Sequence, residues 1–380
     1  MARSRLLAAA LVAPAALVPL IAQGTIVTNV APGYDVTAVP LPNGGTYSGA
    51  LGPHATDDNQ IMFLYDNGAG ITVASLNLTT LAVTDLFTDA TGTLFAFPGG
   101  VAAASNAQWI VSDNGADAIY IATDADSSGT FEPSEVTTLL DLGVDVRLAT
   151  GESNYTGSKV RVVTAGALAN LQVGDFLIQT ADSPNPSEVI VVGDRGTGLQ
   201  LIPAPGATNE AYFRGVGDTL MVFDGGLGFS STGTLIVGVS LLGDARIIAA
   251  RDVGGDGQID PATEARVLFE GAISGIGMFD LSATTTGELI AVSGGNIYRA
   301  TITGGDPLSP AASLSAWAPI VETSSFFLGG GVLSTHVKPF EPGGDPAASG
   351  AFVFADFSGT ELYVARPLAG ASVADWSTLE

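Results

Sequence analysis

The chain has no cysteine, so neither disulfides nor thiolate-bound metal can hold it together. Lysine occurs only as Lys159 and Lys338, histidine only as His54 and His336, and no lysine or arginine lies between Arg5 and Arg147. With 38 acids against 13 Lys and Arg the formal net charge is -25, which repels nucleic acid and anionic lipid and attracts cations. Long apolar runs are missing beyond the N-terminus. The stretch 233–242 is short and interrupted by glycine, so neither membrane insertion nor a nucleic-acid partner is expected. No G-x-S-x-G elbow occurs, and no zinc or triad pattern surrounds either histidine.

What is present begins with an export address. Arg3 and Arg5 precede an apolar stretch from Leu6 to Ile21 that contains Pro14 and Pro19, and Ala22 offers a small residue for cleavage. The alternative is an uncleaved anchor, but the stretch falls short of the roughly 20 residues that span a bilayer. Residues 1–22 therefore read as a signal peptide and 23–380 as one domain, secreted to the periplasm or the exterior.

Forty-nine glycines and 20 prolines punctuate short Val, Ile, Leu and Phe runs, which predicts an all-β domain of strands and tight turns. One strand pattern recurs: Ile71-Thr-Val-Ala74, Ile119-Tyr-Ile-Ala122, Ile247-Ile-Ala-Ala250, Ile297-Tyr-Arg-Ala300 and Leu362-Tyr-Val-Ala365. Each follows a matching strand that starts at Ile61, Trp109, Leu235, Leu289 or Phe352. A degenerate copy is expected at Phe176-Leu-Ile-Gln179. Asp66-Asn67-Gly68 and Asp113-Asn114-Gly115 mark strand reversals of the type I′ kind. Glycine patches at Gly49, Gly99-Gly100, Gly225-Gly226, Gly275 and Gly329 to Gly331 precede the copies. About six units of roughly 50 to 65 residues predict a β-propeller of four-stranded blades, in preference to a β-helix or paired sandwiches.

On that repeat the chain resembles the secreted bacterial six-bladed propellers, loosely the gluconolactonase-like and phytase-like groups. The resemblance implies a ring of blades about a channel.

Two acidic insertions follow the alanine strands. In the first, Asp124, Asp126, Ser128, Thr130, Glu132 and Glu135 stand at the oxygen-bearing positions of a twelve-residue calcium loop, with Gly129 at its turn and Phe131 at the apolar eighth position. It resembles an EF-hand loop without the helices. In the second, Asp252, Asp256, Gln258, Asp260 and Glu264 repeat the pattern, but Gly254 removes the third-position ligand and Glu264 comes one residue late. Calcium in a structural role is the expected cofactor, and a solvated acidic turn is the alternative. Gly304-Gly-Asp306-Pro307 and Gly343-Gly-Asp345-Pro346 carry too few acids and read as plain turns.

Two functions compete. The first is a calcium-stabilised scaffold that binds a protein, a glycan or a small molecule. The second is a calcium-dependent hydrolase, lactonase-, esterase- or phytase-like, with His54 and the acids Asp57-Asp58 at one end of the channel. The scarcity of Lys and Arg weighs against phosphate esters.

Overall fold

The structure is a computed structural model. It describes residues 27–368 except 58, 114, 142–154, 164–170, 173, 183–187, 197, 203–211, 215–222, 230–233, 241–244, 275–277, 284–286, 324–331, 335–351 and 357–358. The expected signal peptide and His336 lie outside the described residues.

Strands dominate, and among the described residues helix is confined to the 3-10 turns Pro42–Gly44 and Pro133–Glu135. None of the described helices is long and apolar enough to cross a membrane. The described strands form six antiparallel sheets, as the repeat predicts. The first blade runs from the channel outward as Thr46–Pro53, Gln60–Asp66, Ile71–Asn77 and Val83–Asp89. The second is Pro98–Ser105, Gln108–Asp113, Ala118–Thr123 and Val136–Asp141. The third, fourth and fifth begin with Tyr155–Val162, Phe223–Phe229 and Met278–Ala283, and the sixth with Val332–Ser334. Each of these inner strands lies beside the next, and the sixth returns to the first, so the ring closes.

Closure uses the N-terminus. Tyr34–Pro40 pairs with Glu361–Pro367 as the outermost strand of the sixth blade, and Val27–Val30 pairs with Ala318–Thr323 at the edge of the fifth. The two ends of the domain are thereby held in one sheet, which leaves no open gap in the ring.

Burial explains the repeat. Second strands are sandwiched between neighbouring blades, so Ile61 to Tyr65 is buried on both faces, as a continuous apolar run. Outer strands such as Val83–Asp89 are exposed in part and mix polar with apolar residues. In four blades the repeated alanine stands opposite the bulky residue that opens the previous strand, in the pairs Trp109–Ala122, Leu235–Ala250, Leu289–Ala300 and Phe352–Ala365, whereas in the first Ala74 faces Phe63 and Ile61 faces Leu76. A small side chain there leaves room for a large partner.

The third blade corrects one expectation. Phe176 pairs with Val192, so Phe176–Asp182 is the second strand and Glu188–Asp194 the third. Val192, not Gln179, holds the alanine's place. The type I′ reading of Asp66-Asn67-Gly68 is also corrected. Asp66 pairs with Ile71 around a four-residue loop closed by the Asn67 amide on the Gly70 carbonyl at 3.2 Å. Positive φ falls on Gly68 and Gly70 instead of on Asn67.

The patches at Gly49, Gly99-Gly100 and Gly225-Gly226 lie in inner strands, while Gly275 and Gly329 to Gly331 lie outside the described residues. A Cβ on Gly52 would lie 1.4 Å from the Val101 carbonyl oxygen, so the first two inner strands abut only because that position has no side chain.

Candidate functional site

Strands alternate in direction, so connections from first to second strand and from third to fourth emerge on the same face. His54, which follows the inner strand Thr46–Pro53, shares that face with both acidic loops.

The first loop is drawn together by its own carboxylates. Asp124 accepts from the amides of Ser128 at 3.0 Å and Gly129 at 2.9 Å, and Asp126 accepts from Ser128 at 2.9 Å. Glu135 spans the loop, accepting from Ala125 at 2.7 Å and Glu132 at 3.0 Å. One oxygen each of Asp124, Asp126 and Glu135 comes within 4.8 Å of the others, so the three predicted carboxylates converge. The Ser128 hydroxyl turns to the Thr130 carbonyl at 2.8 Å. The charges of Asp126 and Glu135, then burial and Asp124, push the Glu132 carboxyl above its ordinary value. A set of oxygen donors under mutual repulsion fits a hard cation such as calcium.

The second loop repeats the scheme although it is one residue longer. Asp252 accepts from Asp256 at 3.2 Å and Gly257 at 2.8 Å. Glu264 accepts from Val253 at 2.8 Å, Gly254 at 2.6 Å and Asp260 at 3.0 Å, the counterparts of the Glu135 bonds. Asp256 caps the Gln258 amide, and Asp260 caps Ala262 and Thr263. The late Glu264 therefore reaches its place. Among the described residues, only the first loop brings three acids within metal-binding reach.

Sequence did not show that each loop grips the preceding blade. The eighth-position residues are buried, Phe131 at 6% exposure and Ile259 at 4%. The Phe131 amide donates to the Leu86 carbonyl of the first blade at 3.1 Å, and the Ile259 amide to the Tyr212 carbonyl beside the third at 2.9 Å. Phe131 also packs against Trp109 with ring centroids 5.5 Å apart.

His54 is 4% exposed and forms an isolated parallel bridge with Ala103 of the second blade. Burial holds its imidazole below the ordinary histidine range, against the opposing effects of Asp57 and of a hydrogen bond with Asn106. Its Nδ1 has no hydrogen-bond partner among the described residues. Asp57 closes the adjoining turn, accepting from Asn59 at 2.9 Å and Gln60 at 2.8 Å, while Asp58 lies outside the described residues. Neither Asn106 nor Tyr212 belonged to any motif, because each reaches its place only through contact between blades.

No family model and no curated protein matches the chain. Solved structures do. The calcium structure of the Trichoderma reesei family AA12 carbohydrate-active enzyme is 13% identical, covering 90% of this chain and 98% of its own, with a TM-score of 0.54. The PQQ-bound aldose sugar dehydrogenase of Streptomyces coelicolor is 12% identical over 89% of this chain and 99% of its own, with a TM-score of 0.52. A gluconolactonase of Xanthomonas campestris is 15% identical over 90% and 94%, with a TM-score of 0.50. The fold is that of the β-propellers, and the gluconolactonase-like resemblance holds at that level. The scaffold expectation is corrected on this comparison: the three similar structures are those of enzymes, and the likeness itself shows the fold.

Proposed function

We propose that the chain is an exported, calcium-dependent hydrolase of sugar lactones or related esters, working at the channel end where His54 stands. The observation that carries this reading is the buried His54 imidazole, kept neutral near pH 7 by burial and with Nδ1 lacking a hydrogen-bond partner among the described residues. A neutral imidazole is the ordinary general base at that pH, and an unsatisfied buried nitrogen is completed by a water or a substrate group. In the reaction, Nδ1 takes a proton from water as the water oxygen bonds to the lactone carbonyl carbon. The ring carbon–oxygen bond then breaks, and the proton passes to the departing oxygen to give the hydroxy acid.

Calcium would be held in the first loop by Asp124, Asp126 and Glu135, whose oxygens converge, with Ser128, Thr130 and Glu132 as the further oxygen donors. The Asp124 amide donates to the Ala107 carbonyl at 2.9 Å, and Ala107 adjoins Asn106, the residue that hydrogen-bonds His54. Ordering the loop around a cation thus orders the group that orients the base.

Phosphate esters are a poorer fit. Each arginine whose side chain is described is already engaged: Arg195, Arg246, Arg251 and Arg299 with carboxylates, and Arg266 and Arg366 with backbone carbonyls. No guanidinium among them is left to clamp a phosphate.

The test is turnover of sugar lactones, aryl esters and phytate by the purified chain, with and without a chelator. Lactone or ester hydrolysis is expected, reduced by chelation, with its acid limb below about pH 6.5. His54→Gln is expected to lower kcat by about 100-fold or more with the fold retained. Turnover of phytate alone, or lactone turnover indifferent to His54→Gln, defeats the proposal.

A further inference from the structure

We propose that Asn43 is a site of spontaneous modification, where conversion to an isoaspartyl linkage loosens the closure of the ring. The inference rests on the fold and not on the hydrolase reading. Asparagine followed by glycine is open to attack of the next backbone nitrogen on the side-chain carboxamide, because glycine sets no side chain in the way. The chain holds three such pairs, Asn43-Gly44, Asn67-Gly68 and Asn114-Gly115. Asn114 lies outside the described residues, and the other two asparagines differ in how the carboxamide is held.

Asn67 is restrained. Its Oδ1 accepts from the Ala69 amide at 2.8 Å and the Gly70 amide at 3.2 Å, and its Nδ2 donates to Thr88 Oγ1 at 3.4 Å. The carboxamide has to give these up before its carbon can meet the Gly68 nitrogen. Asn43 is exposed in the 3-10 turn Pro42–Gly44, and its side chain makes no hydrogen bond among the described residues. Gly44 is exposed too, and a Cβ built on it meets nothing within 4 Å, so an imide ring has room to form there.

In the reaction the Gly44 nitrogen bonds to Asn43 Cγ, the Cγ–Nδ2 bond breaks, and the Gly44 amide proton leaves with Nδ2 as ammonia. Water then opens the imide. Attack at Cγ yields an ordinary aspartyl residue. Attack at the main-chain carbonyl carbon routes the backbone through Cβ and Cγ, which makes it a methylene longer and adds a carboxylate.

The place of this turn makes a longer backbone matter. It links the N-terminal strand Tyr34–Pro40, which closes the sixth blade, to the first inner strand Thr46–Pro53. Both ends of the link are pinned. The Leu41 amide donates to the Thr360 carbonyl at 2.9 Å, and the Tyr47 amide to the Gly359 carbonyl at 2.8 Å. Gly45 is buried so closely that a Cβ on it would lie 2.6 Å from the Tyr65 ring. Its amide closes the turn on the Pro42 carbonyl at 2.9 Å, across the modified residue. A backbone lengthened between these points breaks that bond or shifts Tyr34–Pro40 against Glu361–Pro367.

The experiment ages the full mature chain at mildly alkaline pH and reads each site by peptide mass mapping, with isoaspartate assigned by fragmentation. Asn43 is expected to convert at least about tenfold faster than Asn67, since one or two hydrogen bonds broken before the attack slow it by that much. The aged chain is expected to unfold at lower urea concentration than the fresh one. Asn43→Gly, which takes the φ of 56° readily and carries no carboxamide, should show no such loss. Asn43→Gln is the second control, because its longer side chain closes the ring far more slowly. Conversion at Asn67 as fast as at Asn43, no conversion at Asn43, or conversion without isoaspartate overturns the site. Its effect on ring closure is overturned if the chain converted at position 43 unfolds like the fresh one, or if both variants lose stability on ageing as the native chain does. Mass and unfolding are read without any substrate, so the outcome stands apart from any result on turnover.

Discussion

Arg251 Nη2 donates to Asp306 Oδ2 at 2.8 Å across the junction between the fourth and fifth blades. Arg251 stands directly before the second acidic loop, and Asp306 lies in the carboxylate-poor turn of the next blade. That turn is thus tied by a guanidinium, where the first acidic loop instead draws three carboxylates together. Both side chains are partly exposed, so the pair contributes only about 0.2–1 kcal/mol. Arg251→Gln is expected to lower stability by that amount in low salt, and the loss should fade in high salt. Urea unfolding at two ionic strengths measures it.

A second ion pair should behave differently. Arg195 Nη1 and Nη2 reach Asp175 Oδ1 and Oδ2 at 2.6 and 2.7 Å, and Asp175 is almost wholly buried. Arg195→Met leaves that carboxylate without its cation and with the Gln172 amide as its remaining donor, at an expected cost of about 3 kcal/mol. The double variant Arg195→Met with Asp175→Asn should recover part of the loss. A double-mutant cycle by urea denaturation provides the comparison, and a loss below that of Arg251→Gln would contradict it.

Gly52→Ala places a methyl group against the Val101 carbonyl and pushes two inner strands apart. The expected cost is about 1–3 kcal/mol, with a lower melting temperature. Gly44 makes a useful contrast, since its Cβ would meet nothing within 4 Å while its φ is +69°. Gly44→Ala should cost only backbone strain, roughly 1 kcal/mol. The difference between the two separates crowding from conformation.

Asp89 predicts a response to acid. Burial pushes its carboxyl up, but hydrogen bonds from Thr91 and from the Leu94, Phe95 and Thr93 amides outweigh this and hold it below its ordinary value. These bonds fasten the link between the first two blades, with Leu94 at 2.7 Å and Phe95 at 3.2 Å. A carboxyl depressed in the folded state contributes stability above its unfolded value of about 3.9, and that contribution is lost as pH falls through the folded value. Asp89→Asn should therefore unfold more easily at neutral pH and show a shallower loss of stability below about pH 4. Urea midpoints across the acid range test both halves.

The sequence by itself determined the strand rhythm and the position of the two acidic loops. A second strand buried on both faces must be apolar throughout, as Ile61 to Tyr65 is, and a partner of Trp109 must be small, as Ala122 is. These are local demands, repeated blade by blade, so they show as a repeat. The spacing of Asp124, Asp126 and Glu135 was equally legible, because a single turn brings them together. Only the tertiary structure decided what lies between blades. The docking of Phe131 on Leu86, the Ile259 amide on the Tyr212 carbonyl, and the bond between Asn106 and His54 join residues far apart in the chain or in different blades. The place of the N-terminal strand Tyr34–Pro40 beside Glu361–Pro367 was hidden for the same reason: ring closure is a property of the whole circle, and no single copy of the repeat encodes it.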